Sequence, residues 1–183
     1  MNLTTDLSKY NNAWYKPGSF IKRTLWHIVG SICLHSNLPL PVSFKIFILR
    51  IFGAKIGKGV MIKPQVLIKY PWFLEVGDYV WIGEMVWIDN LVKVSIGNNV
   101  CISQGAMLLT GNHDYTKSTF DLMVGEIHLE EGVWIGAKSV VCPGVRAKSH
   151  AVLAVNSVAT KSMEAYTVFQ GNPAQEVRKR VIK

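Results

Sequence analysis

From Ile56 onward the sequence returns to an aliphatic residue every six positions. Read in sixes it gives IGKGVM (56–61), IKPQVL (62–67) and IKYPWF (68–73), then, after a two-residue offset, VGDYVW (76–81), IGEMVW (82–87) and IDNLVK (88–93). IGNNVC (96–101) and ISQGAM (102–107) follow, and the pattern returns in LEEGVW (129–134), IGAKSV (135–140), VCPGVR (141–146), AKSHAV (147–152) and LAVNSV (153–158). The fifth position of nearly every unit is Val, Ala or Ser. An amphipathic helix repeats every ~3.6 residues and an ordinary strand every two, so neither produces this pattern. A period of six is the signature of a parallel β-helix. Each hexapeptide makes a short strand and a turn, its leading aliphatic side chain points inward, and its small fifth residue fits the inside of the corner. Glycine relieves the backbone at such turns. Stacked coils then bury a continuous column of Ile, Val and Leu.

The rhythm is abandoned at LLTGNHDYTKSTFD, Leu108 to Asp121. Gly111 to Glu126 is a 16-residue excursion from a fold that otherwise turns tightly, and loops of that length usually carry function. His113 and Asp114 stand at its root, where a rigid coil would hold them in place. An isolated Asn-His-Asp is otherwise a turn sequence, with Asn112 and Asp114 supporting the bend.

Four regions follow: a polar, poorly ordered lead-in (1–17), a helical segment (18–53), the β-helix (54–170, with its loop at 111–126) and a basic tail (171–183). In the second region Ile21, Leu25, Ile28, Val29 and Ile32 fall at helical spacing between Ser19, a plausible N-cap, and His35. Pro39 and Pro41 stop this helix, and Val42 to Phe52 reads as a second one ended by Gly53. With Trp26, Lys22, Arg23, Lys45 and Arg50 the pair has two readings. It caps the open end of the solenoid, as repeat proteins require, or it lies on a membrane surface. Capping is the favoured reading, and the two roles are compatible.

No segment reaches the ~18 apolar residues of a spanning helix, and MNLTTDLSKYNN lacks the features of a secretory signal. Cys33, Cys101 and Cys142 have no metal-type spacing and read as reduced thiols. The expected location is the cytoplasm, with contact at the inner face of the membrane through 18–53 left open. The formal charge of +8 suits anionic partners, and Arg178, Lys179, Arg180 and Lys183 concentrate cations at the end of the chain.

Several segments resemble a known family: ILRIFGAKIG (48–57), IKYPWFLEVGDYVWIGE (68–84), ISQGAMLLTGNHDY (102–115), VWIGAKSVVCPGV (133–145) and FQGNPA (169–174). The chain is similar to the left-handed β-helix, or hexapeptide-repeat, acyltransferases, most of all to the WcaF-like group named for colanic acid biosynthesis acetyltransferases. The resemblance implies a mainly β, left-handed parallel β-helix that assembles as a homotrimer. It further implies an enzyme that uses acetyl-coenzyme A to acetylate a sugar hydroxyl, in exopolysaccharide or other surface-glycan assembly. Departures occur at AVNSVATK (154–161), Glu164-Ala165 and Gln170. Ala154 and Val155 matter most, because family members pass coenzyme A close to the backbone there.

Acetyl transfer to an alcohol needs a base for the hydroxyl proton, and histidine titrates near working pH. His113 is the expected general base, matching a catalytic histidine of the family. Asp114 is expected to orient it or to bind substrate. For coenzyme A the resemblance implies Trp134, Gly136 and Ala137 beside the pantetheine arm, then Ala154 and Val155, then Thr160 and Lys161 near the 3′-phosphate. Arg178 and Arg180 are looser candidates for the nucleotide end. Trp81 and Trp87 occupy outward sixth positions and suit a subunit interface or sugar stacking. Asp89 is an acceptor-side candidate, expected to approach the site from a neighbouring subunit.

Three alternatives remain at this point. A non-catalytic β-helix scaffold would not need His113. A metal-dependent hydratase of the γ-carbonic-anhydrase type needs a close histidine pair and a third histidine, and His113, His128 and His150 do not show that spacing; no metal is expected. A nucleic-acid binder has no recognition motif behind it.

Overall fold

The computed structural model describes residues 4–183 and is mainly β. The hexapeptides wind into a parallel β-solenoid with three faces, each built from one short strand per coil. The first face stacks Lys55–Ile56, Leu74–Val76, Val94–Ile96, Ile127–Leu129 and Arg146–Ala147. The second stacks Met61–Ile62, Trp81–Ile82, Cys101–Ile102, Trp134–Ile135, Val152–Leu153 and Thr167–Gly171. The third stacks Leu67–Ile68, Trp87–Asp89, Met107–Leu109, Val140–Val141 and Val158–Ala159.

The register explains the period. On the second face Ile62, Ile82, Ile102, Ile135 and Leu153 stand above one another, and none is more than 2% exposed. The residue before each points the other way and forms an outer column of Met61, Trp81, Cys101, Trp134 and Val152. Fifth-position residues fill the inner corners, where Val80, Val86, Ala106 and Ser139 are fully enclosed. The fourth position carries the bend. Gly59, Gly105, Gly132 and Gly144 take positive φ there, and so do Gln65, Tyr79, Met85, Asn99, Lys138, His150 and Asn156. The left-handed corner is thus a property of the coil, and glycine is only one of its occupants.

Two helices close the first coil: α1 (Phe20–Cys33) and α2 (Val42–Ile51). Ser19 caps α1, its hydroxyl accepting from the Lys22 N–H. Their buried faces reach the carbonyls that lack a preceding coil. In later coils the equivalent oxygens accept from the coil before: Val76 from Gly57, Ile82 from Lys63 and Ile88 from Lys69. In the first coil the donors come from the helices. Arg50 Nη2 donates to Ile56 O at 2.6 Å, Lys45 Nζ to Ile62 O at 3.5 Å, and Trp26 Nε1 to Ile68 O at 2.8 Å. One donor serves each face, so the capping expectation has a physical content: edge carbonyls are satisfied rather than left open.

The other end is covered by the chain itself. Thr167–Gly171 turns back into Ala174–Lys179, which pairs with it antiparallel. Arg180 then donates Nη1 to Gly132 O and His150 O at 2.9 and 3.1 Å. Much of the segment read as a basic tail is therefore a strand anchored to a corner.

Candidate active site

The excursion folds as a hairpin. Gly111–His113 pairs antiparallel with Leu122–Val124, with His113 opposite Leu122. The array does not lose register across it, because Val94–Ile96 pairs directly with Ile127–Leu129. Thr110, fully buried, ties the root: its hydroxyl donates to Asp89 O at 2.9 Å and accepts from the Leu91 and Val92 N–H groups at 2.8 and 3.3 Å. A Cβ at Gly111 would lie 2.5 Å from Leu91 Cδ1, so a larger residue there requires the Leu91 side chain to move.

His113 Nδ1 is 2.9 Å from the Phe120 carbonyl oxygen. A carbonyl only accepts, so the proton of this bond sits on Nδ1, and in the neutral ring Nε2 holds the free lone pair. The Phe120 ring stacks on the imidazole with centroids 4.4 Å apart and planes 8° apart. Phe120 achieves both contacts at φ 52°, a conformation uncommon for an aromatic residue and typical of functional sites. Asp114 does not touch the ring. Its carboxylate accepts from the Thr116 hydroxyl and N–H at 2.6 and 3.1 Å, and those bonds hold its pKa below the usual carboxylate range. The group that orients His113 is the backbone of Phe120.

The imidazole faces a cleft of about 640 Å³. Asp89 lines it from the same chain, where the sequence reading had expected a neighbouring subunit to bring it. Lys69 Nζ lies 2.9 Å from Asp89 Oδ1, close enough for a charge contact but not aligned as a hydrogen bond. The remaining wall is the lead-in. Asp6 N–H donates to Ser118 O at 2.8 Å, the Tyr10 ring sits 5.8 Å from the imidazole, and Tyr15 Oη donates to Leu91 O at 2.6 Å. Burial, with Tyr70 and Asp89 nearby, pushes the Tyr15 phenol above its ordinary range, which keeps that donor protonated.

The residues expected to hold coenzyme A lie elsewhere. Trp134 stands on the second face, half exposed, with Nε1 donating to Ser103 Oγ at 2.9 Å. Gly136, Ala137, Ala154 and Val155 form the corner between the second and third faces. Gly136 is fixed there by coil packing, because a Cβ would lie 2.6 Å from the Val155 nitrogen. Thr160 and Lys161 are exposed at the corner between the third and first faces, the one that bears the hairpin two coils earlier. Arg178 is exposed, while Arg180 is occupied by its backbone carbonyls. Within one chain the Trp134 group and His113 therefore sit on different edges of the prism.

The other two histidines of the solenoid have local partners: His128 Nε2 is 3.3 Å from a Glu126 oxygen, and His150 stacks on Tyr166 at 4.7 Å. Among the described residues no group of three or more His, Cys, Asp or Glu converges as metal ligands would. Burial pushes the Cys101 and Cys142 thiols up, away from the thiolate a nucleophile needs. Sequence reasoning missed Tyr10, Tyr15, Arg23, Lys69 and Phe120. The available signal was three aromatic residues, Tyr10, Trp14 and Tyr15, inside an otherwise polar stretch.

No family model matches the sequence. The chain is 38% identical over 167 residues to an Escherichia coli protein named colanic acid biosynthesis acetyltransferase WcaF, covering 91% of this chain and 92% of that protein. It is 26% identical over 147 residues to the galactoside O-acetyltransferase of E. coli, 79% of this chain and 72% of that one. Among solved structures, a hexapeptide-repeat acetyltransferase from Vibrio cholerae complexed with acetyl-coenzyme A superimposes with a TM-score of 0.78 at 23% identity, covering 90% of this chain and 91% of that one. The structural likeness establishes the shared solenoid. With the extent of the sequence identity, this chain belongs to the WcaF-like family of hexapeptide-repeat acetyltransferases.

Proposed function

We propose that the chain transfers an acetyl group from acetyl-coenzyme A to a sugar hydroxyl in surface-glycan assembly, with His113 as general base. The observation that carries this reading is the imidazole itself, with Nδ1 held by the Phe120 carbonyl and Nε2 left free at a cleft shared with Asp89. Nε2 takes the proton of the acceptor hydroxyl as its oxygen attacks the thioester carbonyl. The new C–O bond forms, the C–S bond breaks, and the imidazolium returns its proton to the departing thiolate. A carbonyl partner on Nδ1 fixes the productive tautomer without adding negative charge. The names of the relatives support the donor and the acceptor class: WcaF for glycan biosynthesis, the galactoside enzyme for a sugar, and the Vibrio structure for acetyl-coenzyme A.

The separation of His113 from the Trp134, Gly136, Ala137, Ala154 and Val155 edge favours a homotrimer in which one subunit's hairpin meets another's cofactor edge. Thr160, Lys161 and Arg178 remain candidates for the coenzyme A phosphates, and Arg180 is better assigned to structure. Phe20, Ile21, Leu25, Ile28 and Ile32 on α1, with Phe47 and Ile51 on α2, form an exposed apolar surface. That surface supports contact with the inner face of the membrane for a protein working in the cytoplasm.

Release of free thiol from acetyl-coenzyme A in the presence of sugar acceptors tests the assignment. His113→Ala is expected to lower kcat by about 10²–10⁴ while leaving acetyl-coenzyme A affinity unchanged. Turnover equal to the unaltered protein would remove His113 as the base.

A further inference from the structure

Each helix of the cap is apolar on two opposite sides. On α1, Trp26 and Gly30 are buried on the solenoid side, while Ile21, Leu25, Ile28 and Ile32 stand exposed. At about 100° per residue the second set lies across the helix from the first. α2 repeats the arrangement: Lys45 and Leu49 are buried, and Phe44, Phe47 and Ile51 are exposed on the far side. A helix that is apolar all round belongs in an interior. Here one side of each has no protein cover among the described residues, and exposed apolar surface of this kind marks a contact site.

The charge of the chain is concentrated at the same end. Between Asp6 and Glu75 the sequence has ten Lys or Arg and no Asp or Glu. All twelve acidic residues lie outside that segment with the other ten cations, so the surplus of +8 belongs to the lead-in, the helices and the first coil. Three of these cations have carboxylate partners: Lys9 with Asp6, Lys55 with Glu75 and Lys69 with Asp89. Lys22, Lys58 and Lys63 have none among the described residues. Lys22 is on α1, and the other two adjoin α2, whose Arg50 and Lys45 reach the carbonyls of Gly57 and Lys63. A second copy seated on this face would bring two cationic ends together. A neutral surface would satisfy the apolar stripes and leave the charge unmatched, whereas an anionic bilayer answers both.

We propose that the helical end of the prism is a docking surface for anionic phospholipid. The outer stripes of α1 and α2 enter the headgroup region, and Lys22, Lys58 and Lys63 hold lipid phosphates. The proposal rests on the membrane-contact reading above and adds to it the lipid class and the residues that select it. It does not depend on acetyl transfer. Recognition has two separable parts, an apolar one that any bilayer satisfies and a cationic one that only a negative surface satisfies.

Co-sedimentation of the whole chain with vesicles tests it, using phosphatidylcholine alone and phosphatidylcholine with about one third phosphatidylglycerol. Binding to the mixed vesicles is expected to be at least about tenfold tighter, and the advantage should vanish at about 1 M salt. A Lys58→Gln, Lys63→Gln double variant should lose about fivefold of that advantage for each charge removed, with binding to phosphatidylcholine unchanged. A Leu25→Gln, Ile28→Gln double variant should bind both kinds of vesicle more weakly. All four side chains are exposed and lie outside the site, so thiol release measured without vesicles should match the parent. Equal binding to the two kinds of vesicle, or full advantage in the lysine variant, overturns the anionic class and leaves membrane contact standing. No binding to either overturns both. A fall in oligomeric mass in the Leu25→Gln, Ile28→Gln variant overturns the proposal by showing that another copy covers the face.

Discussion

Thr110 shows how one residue can hold a site it never touches. Its hydroxyl joins the carbonyl of Asp89 and the N–H groups of Leu91 and Val92 in a fully buried position immediately before the hairpin. Thr110→Val keeps the shape and deletes the bonds, leaving the Val92 N–H without its acceptor while the Leu91 N–H keeps the Asp89 carbonyl at 3.1 Å. The expected cost is about 1–3 kcal/mol in urea unfolding. Turnover should fall as well, because the root of the hairpin and the Asp89 strand lose their common tie. A variant as stable as the parent would mean that water replaces the hydroxyl. At this scale the sequence was only half legible. A histidine at the break of a repeat is visible in one dimension, but a backbone carbonyl has no letter. The partner of His113 comes from Phe120, seven residues on, and its role depends on a left-handed φ rather than on a side-chain type.

At the scale of elements, periodicity served well and contacts between distant elements did not. Both helices and the alternating columns of the coils follow from spacing alone, since burial repeats every six residues. Residues 4–17 are polar in composition and make single aromatic and backbone contacts to the hairpin and to Leu91, which composition does not encode. Lys45 makes a further prediction about the cap. It is 3% exposed, and burial holds its ammonium below the ordinary lysine value of 10.5. A depressed lysine pKa means that the unfolded chain binds more protons than the folded one between the two values, so this residue makes stability rise with pH across that window. Lys45→Met should remove that increment. The difference in urea midpoint between the two proteins, measured at about pH 8 and again at about pH 10, should shift in favour of the parent as pH rises. A pH-independent difference would mean that the ammonium is not desolvated.

For the whole molecule, the decisive relation is between edges of the prism. His113 and Asp89 are on one edge and Gly136, Ala137, Ala154 and Val155 on another, so the proposed coenzyme A assignment requires a neighbouring subunit to bring the two sets together. His113→Ala and Ala137→Trp should each be inactive alone. Unfolded together and refolded, they should recover about a quarter of the parent's activity, because random assortment in a closed ring restores that share of intact pairs. No recovery would place the whole site within one chain. The sequence could not show this, since a period of six is the same on every edge and says nothing about which edges face each other in space.

The three donors at the first coil carry a consequence for the assembly of matter rather than for catalysis. Arg50, Lys45 and Trp26 each occupy a carbonyl that the preceding coil would otherwise occupy. A parallel coil has no built-in length: its last turn presents the same pattern as any other, and a free end is a template for the next chain. Without those three side chains the first coil would present unsatisfied edge carbonyls on all three faces. Two short helices at one end and a returning strand at the other give this solenoid its fixed length.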